Sequence, residues 1–184
     1  MDSNIFLLLL AASLLITSNL LAIYWFAPML LPIIFRGAPY VPTVSQTMEV
    51  MLRLANLSPD DHVIDLGSGD GRMVMASAKQ GVASAVGYEI HPGLVKLANR
   101  NIKKAQLDHI AQVKHASMWN ADVHEATVVF LYQLPYVMKK LGEKLRAELP
   151  PGARIVSNAF SIPDWTPTSK EANVYLYHTD NQQQ

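Results

Sequence analysis

The sequence predicts an α/β domain with a mostly parallel, doubly wound sheet, shortened at its C-terminal end and preceded by one N-terminal transmembrane helix. Three observations carry this expectation: an uncharged apolar run from Ser3 to Phe35, strands alternating with helices from Val63 onward, and the glycine-rich turn "DLGSGDGR" after the first of those strands.

The apolar run comes first. A helix needs about 20 apolar residues to cross the hydrocarbon core, and Ile5 to Phe26 satisfies that length. A cleaved signal peptide and a buried helix of a soluble domain are the alternatives, but for the first only Asp2 precedes the run and no small-residue cleavage site follows it. Tyr24, Trp25 and Phe26 read as an interfacial belt, with Pro28 and Pro32 breaking the rod beyond them. All fifteen Lys and Arg lie at Arg36 or later, which predicts a single-pass membrane protein with its C-terminal part on the cytoplasmic side. The lipid bilayer is then an expected partner. The expected divisions are an anchor over 1–36, a linker and amphipathic helix over 37–57, and a ligand-binding domain over 58–184.

Composition narrows the chemistry of that domain. Fifteen acidic residues balance fifteen basic ones, so no field for a polyanion is implied and no nucleic acid is expected as partner. There are no cysteines, which excludes disulfides, thiolate metal sites and cysteine nucleophiles. The six histidines are scattered without ligand spacing, so no metal is expected.

The elements follow in order. "RGAPYVPT" is a proline-punctuated linker ending in a capping box of Thr43 and Gln46. Val44, Met48, Met51, Leu52 and Ala55 recur at helical spacing, predicting a helix that stops near Leu57. A strand is expected near Val63–Leu66, a helix from Arg72 to Lys79 closed by Gly81, a strand near Ala83–Tyr88, and a helix opened by Pro92 that runs to Lys104. "AQVKHAS" and "ATVVFLY" read as strands. Leu134, Met138, Leu141, Leu145 and Leu149 form a helical stripe, and "ARIVSNAF" and "ANVYLYH" close the series. "SIPDWTPTSKE" has no helical pattern, so the last crossover lacks its helix.

In open α/β sheets the ligand sits at the carboxyl ends of the strands, by the turn after the first one. Gly67, Gly69 and Gly71 give G-x-G-x-G rather than the dinucleotide pattern G-x-G-x-x-G. Asp65 precedes the turn and Asp70 lies inside it. Carboxylates there repel a pyrophosphate but suit a cation, and S-adenosylmethionine carries a sulfonium and an ammonium with no phosphate. Glu89, a little over twenty residues past the first glycine, is placed to bind both ribose hydroxyls. Ser68 completes the turn.

"PYVPT", "DLGSGDGR", "GYEIHPGLV", "SMW", "VFLYQLP" and "DWTP" together resemble a family of small, often membrane-anchored class I methyltransferases. It is the protein-lysine methyltransferase family that includes the mitochondrial enzyme for ATP synthase subunit c and broad-specificity archaeal enzymes. The resemblance spans about Gly37 to Tyr177. It implies a Rossmann-like class I methyltransferase fold, S-adenosylmethionine as cofactor, and a protein substrate, membrane proteins included. The family usually reads Asp-Leu-Trp where this chain has Ser117, Met118 and Trp119. Adenine binding is therefore expected to rest on the Ser117 hydroxyl, backbone atoms and packing by Ile90 and Met118.

Tyr132, after the fourth strand, is the expected catalytic residue. An aromatic hydroxyl there suits a lysine amine, by cation–π contact and hydrogen bonding, better than the Asn-Pro-Pro-Tyr of base and glutamine methyltransferases. Tyr40 and Trp119 are expected to complete the acceptor channel, with Gln133 and Pro135 beside it. The alternatives are a methyltransferase for a small or lipid-like acceptor, and a non-catalytic cofactor-binding scaffold.

Overall fold

The computed structural model describes residues 3–36 and 40–182, and within the first helix it describes the side chains of Ile5 and of Leu9–Tyr24. The chain forms two compact units, Met1–Pro39 and Tyr40–Gln184.

The described part of the first unit is one helix, α1 (Ser3–Arg36), which continues through Pro28 and Pro32 where a break was expected. Among the described residues no helix is long and apolar enough to cross a membrane. The helix is apolar over most of Leu9–Tyr24. It also contains Ser13, Thr17, Ser18 and Asn19, whose side chains turn back to bond carbonyls one turn earlier. This corrects the sequence expectation. The transmembrane helix, the membrane-anchored description, the bilayer as a partner and the single-pass location with a cytoplasmic catalytic domain do not stand. Trp25 and Phe26 of the expected interfacial belt lie outside the described side chains.

The second unit runs α2 (Ser45–Ala55), β1 (His62–Leu66), α3 (Arg72–Ala78), β2 (Ser84–Glu89), α4 (Pro92–Lys104), β3 (Ala111–His115), β4 (Val128–Leu131), α5 (Pro135–Glu148), β5 (Arg154–Asn158), β6 (Ser169–Glu171) and β7 (Val174–His178). The sheet order is β3-β2-β1-β4-β5-β7-β6. β1 to β5 are parallel, and β7 and β6 run antiparallel at one edge. β6 has no counterpart in the sequence reading. It has three residues, all exposed, so it shows neither alternation nor an apolar run.

Successive strand residues point to opposite faces, and the two core clusters follow that rule. Val63, Ala85, Phe130 and Val156 pack with Met51 and Ala55 of α2, Met73 and Val74 of α3, and Ala98 and Ile102 of α4. Ile64, Leu66, Val129, Leu131 and Ile155 pack with Met138, Leu141 and Leu145 of α5. The alternation has a consequence at the carboxyl ends. Asp65, Glu89, Tyr132 and Asn158 follow Val63, Ala85, Phe130 and Val156 in phase, so they share the α2/α3/α4 face.

The helix ends differ from the expected ones in detail. α2 starts after an extended Val44 with no side-chain cap, so the Thr43–Gln46 capping box is not formed. It ends at Ala55, where Asn56 adopts a left-handed φ of 47°. Arg154 then ties this end to the sheet, donating to Ala55 O at 2.5 Å and Asn56 O at 2.7 Å and pairing with the buried Asp61. Burial opposes ionisation of Asp61, but bonds from Thr127 and Arg154 hold its carboxyl below the usual range.

Candidate active site

The turn between β1 and α3 is bare because its path leaves no room for side chains. Gly67, Gly69 and Gly71 take φ of 86°, 53° and 77°, a region L residues enter with strain. The turn is laced to β2: Gly67 N and Ser68 N both donate to Tyr88 O, at 2.8 and 3.1 Å, and Gly69 N donates to Glu89 Oε2 at 2.9 Å. Beneath Gly71, a Cβ would lie 2.9 Å from Ala98 Cβ of α4. Ser68 folds down over Gly87, where a Cβ would meet Ser68 Cβ at 2.6 Å. Its buried Oγ has no hydrogen-bond partner among the described residues.

The two acids named from the sequence stand on either side of this turn. Asp65 is buried and makes no side-chain hydrogen bond among the described residues; burial first, then Glu89 and Asp70, push its carboxyl up to about 7. Such a group lacks a counter-cation. Glu89 is also buried, and its oxygens accept from Gly69 N and, at 2.7 Å, from His91 N. A carboxylate has about four lone-pair positions, so acceptor capacity is left for two hydroxyls. Ile90 follows it, 37% exposed. Met118 is buried, while Ser117 accepts from Trp119 N at 3.4 Å in the short turn after β3.

Asp70 differs from the sequence reading. Arg72 grips it through Nε at 2.9 Å and Nη2 at 2.8 Å, and this bonding holds the Asp70 carboxyl below its usual range. Its charge is therefore spent on Arg72 rather than on a cationic ligand. Arg72 also donates to Thr43 O at 2.9 Å and to the Tyr40 hydroxyl at 3.4 Å. The Tyr40 ring thereby lies on the turn, its Cε2 2.6 Å from where a Gly69 Cβ would be. Arg72 is a site residue that the sequence reading missed, although the pair Asp70-x-Arg72 in the turn was its signal.

The acceptor-side residues are dispersed. Tyr132 is half-buried just past β4. Gln133 is buried and donates through Nε2 to Leu66 O at 2.8 Å, bracing the start of the glycine turn. Pro135 is exposed in the first turn of α5. Trp119 packs on the α5 side of the sheet, with Lys140 Nζ 5.0 Å from its ring centroid. Among the described residues the paired aromatic rings are Trp165–Tyr177 and Tyr175–Tyr177, so Tyr40, Trp119 and Tyr132 form no stacked channel.

A bare turn with an unpartnered carboxylate before it and a diol-competent carboxylate on the next strand fits S-adenosylmethionine. These features on this sheet order define a class I S-adenosylmethionine-dependent methyltransferase. The comparisons agree. Residues 65–169 match the family described as the ANTKMT methyltransferase domain, and the chain belongs to that family. It is 42% identical to a protein-lysine N-methyltransferase of Saccharolobus islandicus, over 76% of this chain and 92% of that one. It is 37% identical to the mouse adenine nucleotide translocase lysine N-methyltransferase, over 71% of this chain but 57% of that one. Among solved structures, an RNA methyltransferase from Salinibacter ruber in complex with S-adenosyl-L-homocysteine superposes with a TM-score of 0.73 at 39% identity, covering 76% of this chain and 94% of that chain.

Proposed function

We propose that the protein methylates the ε-amine of lysine residues in protein substrates, with Asp65, Gly67, Ser68, Gly69, Gly71, Glu89, Ile90, Ser117 and Met118 holding the cofactor and Tyr132 serving the acceptor. The observation that carries the reading is the 42% identity to a protein-lysine N-methyltransferase along nearly all of that protein's length.

Bound S-adenosylmethionine supplies an electrophilic methyl group on a sulfonium. The lysine ammonium gives up a proton to water, the nitrogen of the resulting amine forms the new N–C bond, and the electron pair of the breaking C–S bond goes to sulfur. This chain's own work is alignment, which is a large source of rate in such displacements. Asp65 and Glu89 fix the donor on the β1/β2 side. Tyr132 offers its ring face and hydroxyl to the amine beside it. Gln133 acts indirectly, through its bond to Leu66 O, and Tyr40 belongs with the donor turn that it covers. Lys140 already occupies the Trp119 ring, which leaves Trp119 a lesser part in gripping the acceptor, with Pro135 at its margin.

The assay is transfer of radiolabel from S-adenosylmethionine into a whole-cell protein extract, followed by acid hydrolysis and amino-acid analysis. Label in methyl-lysine is expected. A second reading comes from the description of the Salinibacter ruber protein as an RNA methyltransferase. A net charge of zero gives little phosphate attraction. Label in RNA, and none in lysine, would replace the proposal.

Tyr132→Phe is expected to leave cofactor affinity unchanged while lowering transfer. Loss of one hydrogen bond, of about 0.5–1.5 kcal/mol or up to ~3 with a charged partner, corresponds to a rate fall of roughly 2- to 150-fold. Tyr132→Ala is expected to cost more, because the ring is lost as well. Calorimetry beside single-turnover transfer checks both, and full activity in Tyr132→Ala would move the acceptor elsewhere.

A further inference from the structure

Asn158 closes β5, the strand next to β4, and it carries a side chain that the fold does not use. It is 8% exposed, yet its side-chain amide makes no hydrogen bond among the described residues. Among the described residues the fully enclosed side-chain polar atom without a partner is Ser68 Oγ, so the Asn158 amide keeps an opening to the surface rather than being sealed in the core. The backbone around it is tightly held. Ser157 Oγ donates to Phe160 O at 2.6 Å, Ala159 N donates to Asn173 O at 2.7 Å, and Ala159 is held at φ 67°. So the backbone that carries the amide is fixed, at the end of a paired strand rather than at a loop tip.

Its position says what it faces. Leu131 pairs with Ser157, so the next residues, Tyr132 and Asn158, are level at the carboxyl ends of neighbouring strands. Both continue the face that carries Asp65 and Glu89. Along the sheet the order is Glu89 on β2, Asp65 on β1, Tyr132 after β4 and Asn158 on β5. The donor turn is laced to β2, at one side of this row. Asn158 stands at the other side, beyond Tyr132.

We infer that Asn158 is an acceptor-positioning residue: its amide oxygen takes a hydrogen bond from the substrate lysine amine and, with the Tyr132 hydroxyl, turns the nitrogen lone pair toward the donor methyl. An amide suits this task because it accepts an N–H bond without adding a charge that would hold the amine in its protonated form. The inference rests on the lysine reading above.

The test uses full-length protein, radiolabelled S-adenosylmethionine and the same whole-cell extract, with methyl-lysine as the product. Asn158→Ala is expected to lower methyl-lysine formation by roughly 2- to 13-fold, the range of one lost neutral hydrogen bond, while S-adenosylmethionine affinity by calorimetry stays unchanged. Its melting temperature is expected to hold, since the amide makes no hydrogen bond among the described residues. Asn158→Asp keeps an acceptor oxygen but adds a charge that stabilises the ammonium, so its pH–rate profile is expected to move to higher pH. A drop in melting temperature together with cofactor affinity in Asn158→Ala, or wild-type transfer rates in that variant, overturns the inference alone. Absence of methyl-lysine with the unaltered protein overturns the lysine reading, and the inference with it.

Discussion

Asp65→Asn is expected to make the ligand-free protein more stable at neutral pH while removing most of its affinity for S-adenosylmethionine. The carboxyl of Asp65 is pushed up to about 7 by burial and by the neighbouring Glu89 and Asp70, against about 3.9 in an unfolded chain. Between those values the unfolded chain holds fewer protons than the folded one. The contribution of this group is therefore most favourable below about pH 4, weakens as pH rises to about 7, and is then constant, a total of about 4 kcal/mol. Asparagine has no such titration. The stability gap between variant and wild type in urea melts should open between pH 4 and pH 7 and stay open above it. Binding runs the other way. A cationic ligand needs the ionised carboxylate, so wild-type affinity should fall by up to tenfold per pH unit below about 7, and the variant should show a flat, weak profile. Parallel pH profiles for the two proteins would show that Asp65 does not face the cation.

Gly87→Val is expected to abolish cofactor binding without touching the ligand. Gly87 lies mid-strand in β2, facing the underside of the glycine turn, and Ser68 occupies the space where its side chain would be. The new Cβ would sit 2.6 Å from Ser68 Cβ, an atom one bond from the backbone, so the turn itself must lift. Lifting it breaks the paired bonds to Tyr88 O and the bond from Gly69 N to Glu89. Overpacking of this kind costs about 1–3 kcal/mol, and the misplaced turn loses its donor geometry as well. Gly81→Ala is the control: its φ of 80° carries strain, but nothing lies within 4 Å of the new Cβ. Calorimetry should find no binding in Gly87→Val and near-normal binding in Gly81→Ala. Normal affinity in Gly87→Val would mean that the turn is free to move.

The parts of the site that were legible in the sequence are those whose cause is local. A residue held at positive φ must be glycine or suffer strain, so Gly67, Gly69 and Gly71 announce the turn directly. Apolar alternation predicted the strands, and with them the carboxyl-end positions of Asp65, Glu89 and Tyr132. The transmembrane reading failed because composition alone measured the segment. Among the described residues no helix is long and apolar enough to cross a membrane, and α1 carries Ser13, Thr17, Ser18 and Asn19. β6 escaped because three exposed polar residues become a strand only when β7 offers them an edge.

Strands β1–β5 and β7, the helices between them, the bare turn and the two carboxylates beside it were readable along the chain, because each depends on backbone sterics or on the periodicity of burial. Which distant groups meet depends on the folded sheet. Gln133 bonds Leu66, sixty-seven residues away. Arg72 pins Tyr40 over the turn, thirty-two residues back. Lys140 comes to rest on Trp119, and Asn158, without a side-chain bond among the described residues, stands level with Tyr132. No local pattern records these outcomes. Hydrogen bonds and ion pairs of long side chains act over a few ångströms, and the fold alone sets which residues lie within that reach.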